Sequence, residues 1–206
     1  MSGESSEYFA RGRIEFLAAA LAKLQVTPAR VMDYGCGTGI AAPLLRDLLH
    51  CPLIVGVDVS EKSLEVARRR EPWAEFQLPQ DGASPSSFDV VYCNGVFHHI
   101  PPPVRPEALS FIHDSLKPGG VFSLWENNPW NPGTQIVMRR IPFDRDAIKI
   151  SAPHARKLLE AAGFEVLSID FLFVFPRLLR ALRPLEQHLT RMPIGAQYQV
   201  LARKVG

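Results

Sequence analysis

Nine residues, Val31-Met32-Asp33-Tyr34-Gly35-Cys36-Gly37-Thr38-Gly39, limit what this chain can fold into more than any other part of it. Three glycines at alternate positions permit backbone conformations and close approaches that a Cβ atom blocks. The apolar pair Val31-Met32 reads as a buried strand, and residues 40–49 carry a helical pattern. Thr38 is the expected N-cap of that helix, whose first N–H groups face whatever fills the turn. The next apolar run, Leu53–Val57, ends at Asp58, nineteen residues beyond Gly39. A carboxylate at the end of the second strand can accept two hydrogen bonds from a ribose diol. Turn and acid together describe a site for a nucleoside ligand.

The glycine spacing narrows the ligand. A dinucleotide fingerprint is G-x-G-x-x-G, with a pyrophosphate on the helix N-terminus. Here the order is G-x-G-x-G, and no Lys or Arg lies nearby to meet phosphate. Asp33, two residues before Gly35, would repel a phosphate and suit an ammonium group. These residues resemble motif I of the class I S-adenosylmethionine-dependent methyltransferases, and Val55-Gly56-Val57-Asp58-Val59-Ser60 resembles their second motif. Phe88-Asp89-Val90-Val91-Tyr92-Cys93-Asn94 and Leu116-Lys117-Pro118-Gly119-Gly120 resemble the fourth strand and the turn before the fifth. The four landmarks follow in the family's order over residues 29–127.

The resemblance implies an α/β fold. It is a Rossmann-like, seven-stranded, mostly parallel sheet with helices on both faces and an antiparallel seventh strand between the fifth and sixth. It implies S-adenosyl-L-methionine as cofactor, bound by Asp33, Gly35, Cys36, Gly37, Gly39, Asp58 and Val59. An acid after the third strand usually receives the adenine amino group, and Asp81 is the nearest candidate, with Leu78 as an apolar contact for the adenine face. Asn94 ends the fourth strand, where a parallel sheet places its ligands.

With 206 residues the chain is expected to form one domain with a substantial core. An N-terminal helix covers 1–28, the cofactor core 29–127, a lid 128–150, and a helix, hairpin and basic insert 151–206. A net charge of +2 makes no case for nucleic acid. The basic triplet Arg68-Arg69-Arg70 reads as a solvated helix end that suits the helix dipole. Three cysteines, without C-x-x-C pairing, give neither a disulfide framework nor a zinc site. No apolar run reaches the roughly 18 residues of a membrane span and no signal-peptide core opens the chain, so a cytoplasmic location is expected.

In order, helices are expected over 7–24, 60–70, 105–116 and 151–162. Strands are expected over 29–34, Leu53–Val57, 74–78, Phe88–Asn94, 121–125, 164–175 and 196–204. The first helix either packs on the sheet or helps close the site through Tyr8, Phe9 and Arg11. Residues 134–150, with Met138, Arg139, Arg140, Phe143 and Asp144, are read as the lid. Residues 176–191 hold leucines at helical spacing among four arginines. Such a stretch can cap the sheet end, make a dimer contact, or lie on an anionic membrane.

Methyl transfer from a sulfonium needs in-line alignment and a route for a proton, so no triad is expected. His98 and His99 follow the fourth strand and titrate near neutrality. His98 is the leading base, because His99 matches a histidine frequent in the family. A histidine fixed by a loop carbonyl is the alternative. Glu126 at the end of the fifth strand is a second base. His113 and His154 are expected at the surface without partners, and Asp144, Asp146 and Asp170 do not form the acid cluster of a metal-dependent mechanism. A small or lipid-like acceptor is expected, and either a monomer or a homodimer. A nucleotide-dependent oxidoreductase and a non-catalytic S-adenosyl-binding protein are the competing readings.

Overall fold

A computed structural model describes residues 3–82, 85–140 and 147–205. It forms one seven-stranded sheet flanked by six α-helices among the described residues. In chain order these are α1 (Ser6–Lys23), β1 (Arg30–Tyr34), α2 (Ala42–Leu49), β2 (Leu53–Val57), α3 (Glu61–Arg70), β3 (Glu75–Gln77), β4 (Phe88–Asn94), α4 (Arg105–Ser115), β5 (Leu116–Asn127), α5 (Pro132–Arg140), α6 (Ala152–Ala161), β6 (Phe164–Leu172) and β7 (Gln197–Lys204). The strand order is β3-β2-β1-β4-β5-β7-β6. Strands β1 to β5 pair in parallel, and β7 is antiparallel to both β5 and β6. This is the Rossmann-like α/β architecture that the motifs imply.

Alternation along each strand builds two cores. Val31, Val90, Val121 and Leu201 face α1, α2 and α3, burying Ile14, Leu17, Leu45 and Leu64. Their neighbours Met32, Val91, Phe122 and Val200 face α4 and α6, burying Leu109, Ile112, Ala155 and Leu159. Both faces are covered, which is why the strands read as unbroken apolar runs. Ser60 caps α3 by accepting from Ser63 N–H at 3.3 Å. Arg68 donates to the Phe76 carbonyl and pairs with Glu61, and Arg70 pairs with Glu71, so these two of the triplet serve the fold.

Several boundaries differ from the sequence expectation, each for a local reason. Thr38 does not cap α2. Gly39 N–H donates to Cys36 O and Ala42 N–H to Gly39 O, so the tight turn runs on and α2 starts at Ala42, with Ala41 as a cap that makes no side-chain bond. β5 begins at Leu116 rather than Val121. Leu116 pairs with Phe88, residues 117–120 bulge out, and pairing resumes at Val121 opposite Val90. β6 stops at Leu172 because Phe173 takes a left-handed φ of +63° to pack on Phe9 and Tyr8. His113 has partners: it stands edge-on to Phe164 with ring centroids 5.1 Å apart and lies 3.6 Å from Asp114. In the expected lid, residues 134–140 belong to α5. Phe143, Asp144 and Asp146 lie outside the described residues.

Candidate active site

The parallel strands deliver their C-terminal ends to one edge, and the glycine turn occupies it between β1 and α2. Gly35 (φ +77°), Gly37 (φ +52°) and Gly39 (φ +74°) all sit in the left-handed region that disfavours side chains. Their surroundings differ. A Cβ on Gly35 would stand 2.2 Å from Val96 Cγ2, whereas one on Gly37 would meet nothing within 4 Å. Gly35 is therefore closed by packing, and Gly37 fronts open space. Cys36 is buried behind the turn against Gly56, and burial pushes its thiol up, so it fills space as a neutral group.

Four N–H groups of the turn are already committed. Gly35 and Cys36 donate to Val57 O, Gly39 donates to Cys36 O, and Gly37 donates to Asp58 Oδ2 at 2.8 Å. Asp58 Oδ1 accepts from Ser60 N–H at 2.9 Å. A pyrophosphate would need those donors. What remains is a carboxylate held rigid at the end of β2, with lone pairs to spare for hydroxyls. The second acid, Asp33, is buried, and desolvation followed by the charge of Asp58 pushes its pKa up to about 7 while Arg13 pulls against them. Two acids flanking an open glycine suit a ligand with a cation and a diol. Asn94 adds a buried amide oxygen without a partner at the end of β4, the kind of group a bound ligand satisfies.

Arg13 is the residue that the sequence reading missed. It lies on the buried stripe of α1 with Ala10, Ile14, Leu17 and Leu21, and an arginine on an apolar stripe was the available signal. Its Nε donates to the Tyr92 hydroxyl at 3.1 Å and its Nη1 to Gln197 Oε1 at 2.8 Å. Those bonds fasten α1 to β4 and to the start of β7. Burial pushes the Tyr92 phenol up to about 12, so it remains protonated. Of the residues read as closing the site, Tyr8 and Phe9 pack on Phe173, while Arg11 lies 3.9 Å from Glu15 as an exposed pair.

On the other side of Asn94, His98 and Glu126 are both buried, with His98 Nδ1 2.5 Å from Glu126 Oε2. In the tautomer in which His98 Nδ1 donates to this carboxylate, Nε2 is the basic nitrogen of the ring. Glu126 Oε1 accepts from Phe97 N–H at 2.9 Å. Both its oxygens are thus occupied in orienting the loop after β4. Arg105, buried at the start of α4, donates to Phe97 O, Ile100 O and Ile148 O, and Ile148 N–H donates to His98 O. The His99 ring leans on His98 with centroids 4.1 Å apart. Leu78 is half-buried, Val59 is 82% exposed, and Asp81 is exposed with its carboxylate accepting from Leu78 N–H at 3.1 Å. Among the described residues no cluster of His, Cys, Asp and Glu is placed to hold a metal ion.

Fold and glycine site together define a class I S-adenosylmethionine-dependent methyltransferase scaffold. The chain belongs to that family: the methyltransferase domain family matches residues 6–169. Trans-aconitate 2-methyltransferase of Variovorax paradoxus is 32% identical over 120 residues, which cover 55% of this chain and 44% of that protein. An uncharacterized methyltransferase of Synechocystis sp. is 32% identical over 164 residues, 75% of this chain and 76% of that one. The chain spans about half the length of the trans-aconitate relatives it matches. A SAM dependent methyltransferase from Archaeoglobus fulgidus shares the fold, with a TM-score of 0.66, 19% identity, and 93% and 94% of the two chains covered. S-adenosylmethionine is the cofactor this membership implies, and the open face of Gly37, the paired acids and the unpartnered Asn94 oxygen fit it.

Proposed function

We propose that the protein transfers a methyl group from S-adenosylmethionine to a small or lipid-like acceptor, at oxygen, nitrogen or carbon, by in-line displacement. The observation that carries this reading is the Asp58 carboxylate, fixed by Gly37 and Ser60 N–H beside a glycine that fronts open space. The cofactor supplies an electrophilic methyl on a sulfonium. The chain supplies position: Asp58 holds the ribose hydroxyls, Asp33 faces the ammonium, and Asn94 takes a donor at the end of β4. Positioning of this kind is worth roughly 7–11 kcal/mol of barrier. For a hydroxyl acceptor, His98 Nε2 is the proton acceptor and Glu126 orients its ring, a contribution of about 10²–10⁴-fold. Glu126 is accordingly assigned as a positioning residue.

The relatives named for trans-aconitate make small carboxylic acids the first acceptors to screen. An acid acceptor arrives already ionised and does not need His98, so the pH profile of turnover separates the two acceptor classes. Titration calorimetry should show micromolar binding of S-adenosylmethionine and its demethylated product, largely abolished in Asp58→Ala and partly kept in Asp58→Asn. Full affinity in Asp58→Ala would remove the ribose assignment. Binding without turnover on any acceptor would favour a non-catalytic S-adenosyl-binding protein, and a preference for dinucleotides would favour an oxidoreductase.

A further inference from the structure

The β6–β7 connection lies at the active-site edge. Asn127, at the C-terminal end of β5, pairs with Gln197, which pairs in turn with Leu172, so residues 173–196 leave and re-enter the sheet where the cofactor strands end. Within it, Arg177–His188 runs as 3₁₀ turns broken by a kink at Leu179, with Pro184 inside and no buried residue. The sequence R-L-L-R-A-L-R-P-L-E-Q-H interleaves Arg177, Arg180 and Arg183 with Leu178, Leu179, Leu182 and Leu185.

Within Arg177–His188, Arg183 and Glu186 alone are partly buried, and the other side chains are exposed. Arg183 turns inward, donating to Glu4 at 2.8 Å and lying over the Tyr8 ring, and Glu186 accepts from Phe175 N–H. The leucines face out: Leu178 is 92% exposed and Leu185 52%, with Leu179, Leu182, Met192 and Ile194 beside them also exposed. A run of outward leucines of this size marks an interaction surface. Arg177 and Arg180 are exposed at its border, and Glu186, the acid of this helix, is held against the protein. Exposed leucines bordered by Arg180 and by Arg177, which donates to Gly3 O at 3.4 Å but stays exposed, match an anionic lipid surface, which takes the leucines among its acyl chains and the guanidinium groups at its phosphates.

We propose that residues 176–194 dock the protein peripherally on an anionic membrane with the active-site edge turned toward the lipid. The placement deepens the proposed function, since a lipid-like acceptor would then enter from the bilayer. Asn128 Nδ2 donates to Pro193 O and Gly195 O, and Asn131 Nδ2 to Ile194 O, so the docking segment is tied directly to the loop after Glu126.

The test is flotation of the full chain with phosphatidylcholine vesicles, with and without phosphatidylglycerol. Binding should be roughly tenfold or more tighter on the anionic vesicles and fall with added salt, since each basic side chain near such a surface contributes about 1 kcal/mol. Leu178→Ser/Leu182→Ser/Leu185→Ser should lower binding about tenfold or more. Arg177→Gln/Arg180→Gln should erase the preference for anionic lipid. All the substituted side chains are solvent-facing, and unchanged melting temperature with unchanged S-adenosylmethionine affinity shows that fold and cofactor site are intact. Absence of binding to anionic vesicles, or equal binding to both kinds, overturns the proposal. So does a concentration-dependent dimer that the leucine variant abolishes, which gives the surface to a second copy. Since calorimetry reads cofactor binding separately, failure here leaves the methyltransferase reading standing.

Discussion

Gly35 and Gly37 stand two residues apart in one turn, yet a methyl group added to each meets opposite surroundings. Gly35→Ala drives a Cβ into Val96 and should cost stability at the level of an overpacked core, about 1–3 kcal/mol, seen as a lowered denaturation midpoint. Gly37→Ala carries only the left-handed backbone penalty of about 1 kcal/mol. Its methyl group enters the space assigned to the cofactor, so S-adenosylmethionine affinity should fall by about tenfold or more while the fold persists. If affinity survives in Gly37→Ala, the cofactor does not pass in front of that glycine. Asp33 makes a pH prediction. Its folded pKa of about 7 exceeds the ordinary 3.8, so between those values the folded protein retains a proton that the unfolded chain has released. The associated stability is fully present below about pH 3.8 and is lost as pH rises through about 7. Asp33→Asn is neutral throughout, so the ligand-free variant should gain on the parent as pH rises, by on the order of a few kcal/mol at alkaline pH. Parallel melting curves from acid to alkaline pH would show that burial does not hold the proton.

At the scale of elements, the loop after β4 is built as a clamp. Glu126 from β5 holds Phe97 N–H and His98 from one side, and Arg105 from α4 holds Phe97 O, Ile100 O and Ile148 O from the other. Replacing one acceptor oxygen of a buried carboxylate leaves a buried donor short of its partner, which costs about 1–3 kcal/mol. Glu126→Gln should therefore destabilise by that order in chemical denaturation. Arg105→Met in the same background should cost less than it does alone, because the two side chains hold opposite sides of one loop and the Glu126 charge that favours the Arg105 cation is already gone. Additive losses would mean that the two charges do not act through one loop. Little of this clamp is legible in the sequence. The glycine motif and strand ends are local, so short-range pattern finds them. Arg105 is a solvent-type residue at a helix start until the carbonyls it serves, 43 residues away in one case, are in view. Arg13 escapes for the same reason, since its partners lie 79 and 184 residues along the chain. Thr38 misleads in the other direction: a good capping residue is present, but the turn it sits in continues to Ala41.

For the whole molecule, the parallel character of the sheet was readable because strand and helix patterns alternate. The position of β7 between β5 and β6 came from the family resemblance, and the register of Glu126 with Tyr198 confirms it. The kinked 3₁₀ course of residues 177–188 was not readable in the sequence, although Pro184 within it was there to argue against a continuous α-helix. The sheet divides its work spatially. The nucleoside cradle depends on β1, β2 and the turn between β1 and α2, and its hydrogen bonds close among Gly35, Gly37, Val57, Asp58 and Ser60. The loops after β5 and β6 close their bonds among Asn128, Asn131, Thr134 and residues 193–196. Neither set leans on the other except through the strands themselves. A graft of segments 128–140 and 173–196 from one relative to another must therefore move both together, and must also carry the residues of the N-terminal segment and α1 that meet the second, Gly3, Glu4, Tyr8 and Phe9. A library that varies both together samples new acceptors on an unchanged donor site, whereas varying either alone breaks the Asn128 and Asn131 bonds that join them.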